Sequence, residues 1–397
     1  MVHAIVIGAS GYTGAEAVRL LLGHPSFELL AASSDAYAGK ELADLYPALL
    51  GLDSIVLTTH AEALACKEAE IAFLAIPHTA SLAIAPGLLK RGCAVVDLSA
   101  DFRLKDATEY EQWYQTPHTA ADLLDHAVYG LCEFNRAALQ EKAFLWRSGK
   151  PSDILPPVQP GGPSDVLPPV QPGGPSDVLP SVQPGGPSAI LPPLVANPGC
   201  YPTASALAIV PALTSGLVDT STPIIINAIS GVSGAGRKAT ATTHFCSASD
   251  DLAAYGVTFH RHTPEIAQML SEQAGSKVTV VFSPHLAPLK RGMVATVVAQ
   301  LKDGVDAQKI TQAYSETYSQ EPFVSFLPYG TMPHSASVQG TNKAQVGVAY
   351  NENAHCLVAS CAIDNLGKGA SAQAVQNANI IFGFAETDGL DAVGTVV

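Results

Sequence analysis

Cys200 follows Asn197-Pro198-Gly199 and precedes Tyr201-Pro202-Thr203, with a helical stretch expected from Thr203 to Val210. A thiol at the start of a helix faces unpaired backbone N–H groups and the positive end of the helix dipole. Both favour the thiolate, which is the nucleophile. A second segment, His260-Arg261-His262-Thr263-Pro264-Glu265, leads into a helix predicted over Glu265–Glu272. Histidine titrates near neutral pH, so this segment offers a general acid or base. His260 and His262 project the same way from an extended strand, and spacing does not choose between them. Two such histidines could also ligate zinc, but no third ligand lies nearby in sequence, so no metal site is expected. A third segment, Ser230-Gly231-Val-Ser-Gly-Ala-Gly236-Arg237-Lys238, strings backbone N–H groups into an anion nest with cations beside it. Ser230, Gly231 and Arg237 are therefore candidates for binding an anionic substrate.

These groups need a scaffold, and the N-terminal segment supplies the clearest one. A short apolar strand, Ala4 to Ile7, runs into Gly8-Ala-Ser-Gly11-Tyr-Thr-Gly14 and then into a helical pattern over Ala15–Leu22. Glycines at 8, 11 and 14 let the backbone approach a pyrophosphate at the helix N-terminus, and Ser10, Tyr12 and Thr13 add hydroxyls. A second strand, Phe27 to Ala32, ends where a dinucleotide's ribose is read. Ser33, Ser34 and Lys40 there suit the 2′-phosphate of NADP, whereas Asp35 suits the free ribose hydroxyls of NAD. Further strands at Ile71–Ile76 and Ala94–Asp97, with a helix over Ser81–Arg91 between them, predict a parallel, doubly wound Rossmann-type sheet. Later strand-like runs at Pro223–Ile229, Lys277–Phe282 and Met293–Gln300 alternate less regularly with helices such as Asp306–Ser319. They predict a second, mixed α/β catalytic domain.

Length and composition agree with this two-domain α/β class. A chain of 397 residues exceeds one ordinary core, and 47% hydrophobic residues can fill two. The net charge of −14 argues against nucleic acid or an anionic membrane as partner. No apolar run reaches the roughly 20 residues that span a bilayer. The first residues enter a strand without a basic leader, and the seven cysteines are scattered, which points to a reducing cytoplasm. Between Pro151 and Pro193 a 12-residue unit beginning Pro-Ser-Asp-Ile-Leu-Pro-Pro-Val-Gln-Pro-Gly-Gly repeats three times and then partially. Its proline density forbids helix and central strand, and a disordered surface insertion is expected. The expected divisions are 1–148 for dinucleotide binding, 149–193 for the insertion, 194–364 for catalysis and oligomerisation, and 365–397 for a last helix over Ala370–Ile381.

Six segments now stand in order: Gly8–Gly14, Asp97–Arg103, Asn197–Thr203, Ser230–Arg237, His260–Glu265 and Asp364–Gly369. In that order they resemble the N-acetyl-gamma-glutamyl-phosphate reductases, the arginine-pathway branch of the semialdehyde dehydrogenases. The resemblance spans the chain apart from 149–193. It implies NADP as cofactor, a small acyl phosphate as substrate, Cys200 as acyl-accepting nucleophile and His260 as the acid/base. It also implies that the last helix returns to the dinucleotide domain with Asn365 near the nicotinamide. Asp35 departs from relatives, which often carry arginine or another non-acidic residue there, and so does the proline repeat. A homo-oligomer, dimer or tetramer, is expected. Reductases of N-acetyl-aminoadipyl phosphate or aspartyl phosphate would share the chemistry, and a cofactor-bound scaffold docking through the repeat is the alternative of a different class.

Overall fold

The computed structural model describes residues 1–52, 54–149 and 190–394. The insertion expected at 149–193 therefore falls almost wholly outside the described residues.

Six parallel strands form the first sheet: β1 (Val2–Ile7), β2 (Phe27–Ser33), β3 (Ile71–Leu74), β4 (Ala94–Asp97), β5 (Val128–Tyr129) and β6 (Leu194–Ala196), in the order β2-β1-β3-β4-β6-β5. Their short, nearly continuous apolar runs reflect burial on both faces. Ala4, Val6, Ile71 and Phe73 point into one core, while Ile5, Ile7, Ala72 and Leu74 point into another. Helix Ser81–Lys90 covers the second face. Helices Tyr12–Leu22, Cys132–Ser148 and Ala372–Phe382 cover the first. The chain order reverses between β2-β1 and β3, which opens a crevice at the carboxyl ends of β1 and β3.

β6 corrects one boundary. The segment Leu194–Ala196 pairs with β4 and β5 in the first sheet, so the second domain starts after it and not at 194. Three apolar residues carry no period, and only a gap between β4 and β5 gives them a place.

The second sheet is mixed: β7 (Ile224–Gly231), β8 (Ala253–Ala254), β9 (Val280–Ala287), β10 (Met293–Gln300), β11 (Val324–Phe326), β12 (Ala344–Asn351) and β13 (Cys356–Ile363), ordered β11-β12-β13-β10-β7-β9-β8. β9 begins later and runs farther than Lys277–Phe282, through Pro284, because its parallel pairing with β7 continues to Gly231↔Ala287. Along β7, Ile224, Ile226 and Ala228 face the core while Ile225 and Ile229 face outward. Helices Cys200–Thr214, His262–Ala274 and Ala307–Tyr318 pack on the inner face. Among the described residues no helix is long and apolar enough to cross a membrane.

Candidate active site

A cleft of about 950 Å³ lies between the two sheets. The first turn of the chain forms one wall. Gly8 has φ of +92°, and a Cβ there would stand 2.3 Å from the Ala75 carbonyl oxygen, so only glycine fits. Gly14 is equally constrained: its Cβ would come within 2.2 Å of the Gly8 oxygen. Gly11 then caps helix Tyr12–Leu22 with no side chain to cover the first-turn N–H groups. Those groups, with Ser10, Tyr12 and Thr13, face the cleft as an anion seat, and this wall fits a dinucleotide pyrophosphate. Gly14 stays behind as a packing residue outside the lining.

Farther along this wall Ser34 lines the cleft, its hydroxyl 2.7 Å from that of Ser10. Ser33 does not reach it: its side chain is buried and hydrogen-bonded to His60 Nδ1 at 2.8 Å. Lys40 is exposed outside the lining, 5.8 Å from the Tyr37 ring centre. Asp35 also turns away, accepting a hydrogen bond from the His60 backbone N–H at 2.7 Å.

The opposite wall is the Cys200 turn. Gly199 caps the helix Cys200–Thr214, so Cys200 is its first residue, half-buried in the cleft. Burial pushes the thiol up to about 11, while the Tyr201 backbone N–H and the Arg103 guanidinium work against it. In the open cleft desolvation outweighs the helix terminus, contrary to the expectation from the turn alone.

His260 and His262 both line the cleft, with ring centres 4.9 Å apart. Burial and the neighbouring Arg261 lower His260 to about 4. Burial, followed by the charge of His260, holds His262 well below the usual histidine range. His260 Nδ1 accepts the His262 backbone N–H at 3.1 Å, which leaves Nε2 to exchange protons with the cleft. His262 has a different setting. Its Nε2 lies 4.0 Å from the Glu265 carboxylate, and a Cβ on Gly199 would stand only 2.5 Å from that nitrogen.

Two residues that the motifs contained, but to which no role attached, hold this wall together. Glu265 is buried and accepts from the Gly199 N–H at 2.9 Å and the Tyr129 hydroxyl at 2.8 Å. Arg103 spans the domains: it donates to the Asn197 and Leu98 carbonyls at 2.8 and 3.0 Å and to Glu265 at 3.2 Å. An arginine and a glutamate, one in each of two separate motifs, were the available signal, but the two are 162 residues apart. Gly369 presses on Cys200 from the C-terminal segment, where an added Cβ would meet that of Cys200 at 2.7 Å.

Asn365 lines the cleft and fixes the second glycine loop, donating to the Ser233 hydroxyl at 2.9 Å and accepting the Gly292 N–H at 2.7 Å. Ser230 lines the cleft beside it. Gly231 lies outside the lining, close against the Leu289 carbonyl. Arg237 reaches across to the first domain, where it donates to the Ser10 carbonyl at 3.3 Å. Among the described residues no group of three His, Cys, Asp or Glu side chains is placed to hold a metal ion.

A dinucleotide turn and a cysteine turn thus share one cleft, and comparison with known proteins specifies which lineage built it. Residues 3–142 match the family model described as semialdehyde dehydrogenase, NAD binding domain. Residues 200–365 match the semialdehyde dehydrogenase, dimerisation domain. The N-acetyl-gamma-glutamyl-phosphate reductase of Pelotomaculum thermopropionicum is 41% identical over 393 residues, 99% of each chain. The chain belongs to the N-acetyl-gamma-glutamyl-phosphate reductase family. The Moorella thermoacetica reductase is 39% identical over 394 residues, again 99% of each chain. The fold extends beyond the reductase family. Aspartate semialdehyde dehydrogenase II of Vibrio cholerae, solved with ASA, superposes with a TM-score of 0.64 at 15% identity, covering 96% of this chain and 98% of its own. The Candida albicans aspartate semialdehyde dehydrogenase, solved with NADP, gives 0.63 at 15% identity, covering 96% and 99%.

Proposed function

We propose that this chain reduces N-acetyl-L-glutamyl 5-phosphate to N-acetyl-L-glutamate 5-semialdehyde, releasing phosphate, in arginine biosynthesis. One observation carries the reading: Cys200, at a helix start, shares a cleft with His260 and the Gly8–Gly14 turn. Family membership points to the same substrate. When bound on the Gly8 turn, NADPH supplies the hydride.

Cys200 Sγ attacks the acyl carbon. A C–S bond forms, the bond from carbon to the phosphate oxygen breaks, and phosphate leaves with the thiol proton. Covalent capture suits the task because a thioester accepts hydride more readily than a carboxylate. N–H groups at the start of the Cys200 helix stabilise the oxyanion. Once the acyl group is reduced, the C–S bond breaks and the aldehyde departs. His260 Nε2 returns a proton to Sγ and recovers its own from solvent. The thiolate released by C–S cleavage puts a negative charge in the cleft that His260 lines. It opposes the burial and the Arg261 charge that hold the ring near 4, and so favours its acid form. Arg261 is exposed on the cleft rim, 5.5 Å from the Tyr114 ring centre, and offers charge to the substrate. Arg103 and Glu265 act as positioning residues, since their hydrogen bonds go to the Cys200 turn.

A homo-oligomer is part of this reading. Its support is the match to a dimerisation domain and the outward apolar row Val281, Ile225, Val298 and Val358, which are direct neighbours across four strands. All seven cysteines are free, which suits a reducing cytoplasm.

The decisive assay is phosphate-dependent NADP⁺ reduction with N-acetyl-glutamate semialdehyde. Turnover is expected with this substrate above its aminoadipate and aspartate homologues. Cys200→Ser should abolish turnover while dinucleotide binding persists; a wild-type rate in that variant would falsify the nucleophile.

A further inference from the structure

We infer that Arg237, from the second domain, reads the 2′-phosphate of the dinucleotide and sets the preference for NADP over NAD. The inference rests on the reductase reading above and deepens it. It starts from a gap in the first domain. At the end of β2, where the ribose is read, Ser10 and Ser34 offer hydroxyls, yet Lys40 lies outside the cleft and Ser33 is tied to His60. Lys40 stops by the Tyr37 ring, 5.8 Å from its centre, so the residues at the end of β2 that line the cleft offer hydroxyls and no Lys or Arg.

Arg237, expected from its loop to bind the anionic substrate, instead supplies that cation from the far side. Its guanidinium lies 5.3 Å from the centre of the Tyr37 ring and 5.5 Å from that of Tyr46. Both tyrosines belong to the segment following β2. One guanidinium nitrogen donates to the Ser10 carbonyl at 3.3 Å, and the Tyr46 hydroxyl donates to the same oxygen at 2.9 Å. A guanidinium carries five N–H donors in a fixed fork, so this single contact leaves most of them for a phosphate. Two tyrosine rings thus flank the guanidinium within cation–π range, and bidentate pairing with phosphate is the geometry that arginine suits and lysine does not.

Asp35 is the residue that should oppose a 2′-phosphate. Its carboxylate accepts the His60 backbone N–H at 2.7 Å, with His60 Nε2 3.9 Å away, which holds it aside from the cleft, and it does not line it. The acidic residue at the end of β2 is therefore held to the first residue of the short helix His60–Leu64, and the choice of cofactor passes to the other domain. Arg237 belongs to the loop that Asn365 holds through Ser233, so a bound 2′-phosphate would bridge the two walls of the cleft.

The test measures dissociation constants of NADP⁺ and NAD⁺ for the full chain by calorimetry, with Arg237→Gln, Arg237→Lys and Lys40→Ala as variants. Loss of a charge-assisted hydrogen bond predicts that Arg237→Gln weakens NADP⁺ by about 10- to 100-fold while NAD⁺ stays within about twofold. Arg237→Lys should recover only part of the loss, and Lys40→Ala should keep the wild-type preference. Retained NAD⁺ binding reports a folded site. Equal weakening of both dinucleotides by Arg237→Gln, or a preference that survives it, overturns the assignment but leaves the reductase reading standing. A wild type that binds NAD⁺ as tightly as NADP⁺ overturns both the NADP reading and the role of Arg237.

Discussion

At the scale of single residues, Cys200 shows two effects in competition. A helix start and the Arg103 charge lower the thiol, burial raises it, and burial prevails at about 11. Burial therefore keeps the reactive thiolate scarce at neutral pH. We expect iodoacetamide labelling of the Cys200 peptide, followed by mass spectrometry, to be slow at pH 7.5. Below a thiol pKa the thiolate fraction grows tenfold per pH unit, so labelling should rise about that steeply through pH 9. A rate that is flat between pH 7 and 9 would mean a thiol already ionised. The surface residue Cys246, being exposed, serves as an internal reference.

The elements around Cys200 hold its turn by burial more than by capping. Helix Cys200–Thr214 is buried continuously from Tyr201 to Leu213, which is why its sequence is apolar all round and not amphipathic. At its start it meets a wide π-helical turn, Gly367–Ser371, that leads into helix Ala372–Phe382. Such turns are frequent at functional sites, and here the turn places Gly369 directly on Cys200. Lys368 anchors it, fully buried and donating to Glu133 at 2.6 Å and Gln376 at 2.8 Å. Removing one partner of a buried pair leaves the other charge uncompensated. Lys368→Met should therefore destabilise the fold by about 3–5 kcal/mol, read by urea denaturation. A change within about 0.5 kcal/mol, the range of an ordinary surface substitution, would show that the turn does not depend on the pair.

For the whole molecule, the two sheets divide the labour. The first is covered on both faces and presents its crevice to the cofactor. The second is covered on one face only, with Ile225 at 44% and Val281 at 49% exposure on the other. An apolar row across neighbouring strands is the surface by which a second copy would pair. Light scattering should find the wild-type chain as a dimer or larger, and Ile225→Lys should shift it towards monomer. A monomeric wild type would remove the oligomer from the proposal.

What the sequence determined by itself was local. Glycine spacing after a strand and a cysteine after Pro-Gly are short-range patterns, and each forms the element that its residues dictate. The histidine segment departs from expectation, since Arg261 is already helical in conformation and the helix starts at His262, three residues before Glu265. Met293–Gln300 and Ala94–Asp97 keep the expected bounds because β-branched and small apolar residues fill both. The tertiary structure alone decided relations between distant segments. Arg103 and Glu265 meet across 162 residues, and β6 slots between β4 and β5 after the long repeat. Asp35 turns to His60 while Arg237 arrives 227 residues after its Ser10 partner. Local patterns name the groups that can do chemistry. Charge partners, desolvation and the wall on which a cation stands depend on packing between segments, which no short pattern encodes.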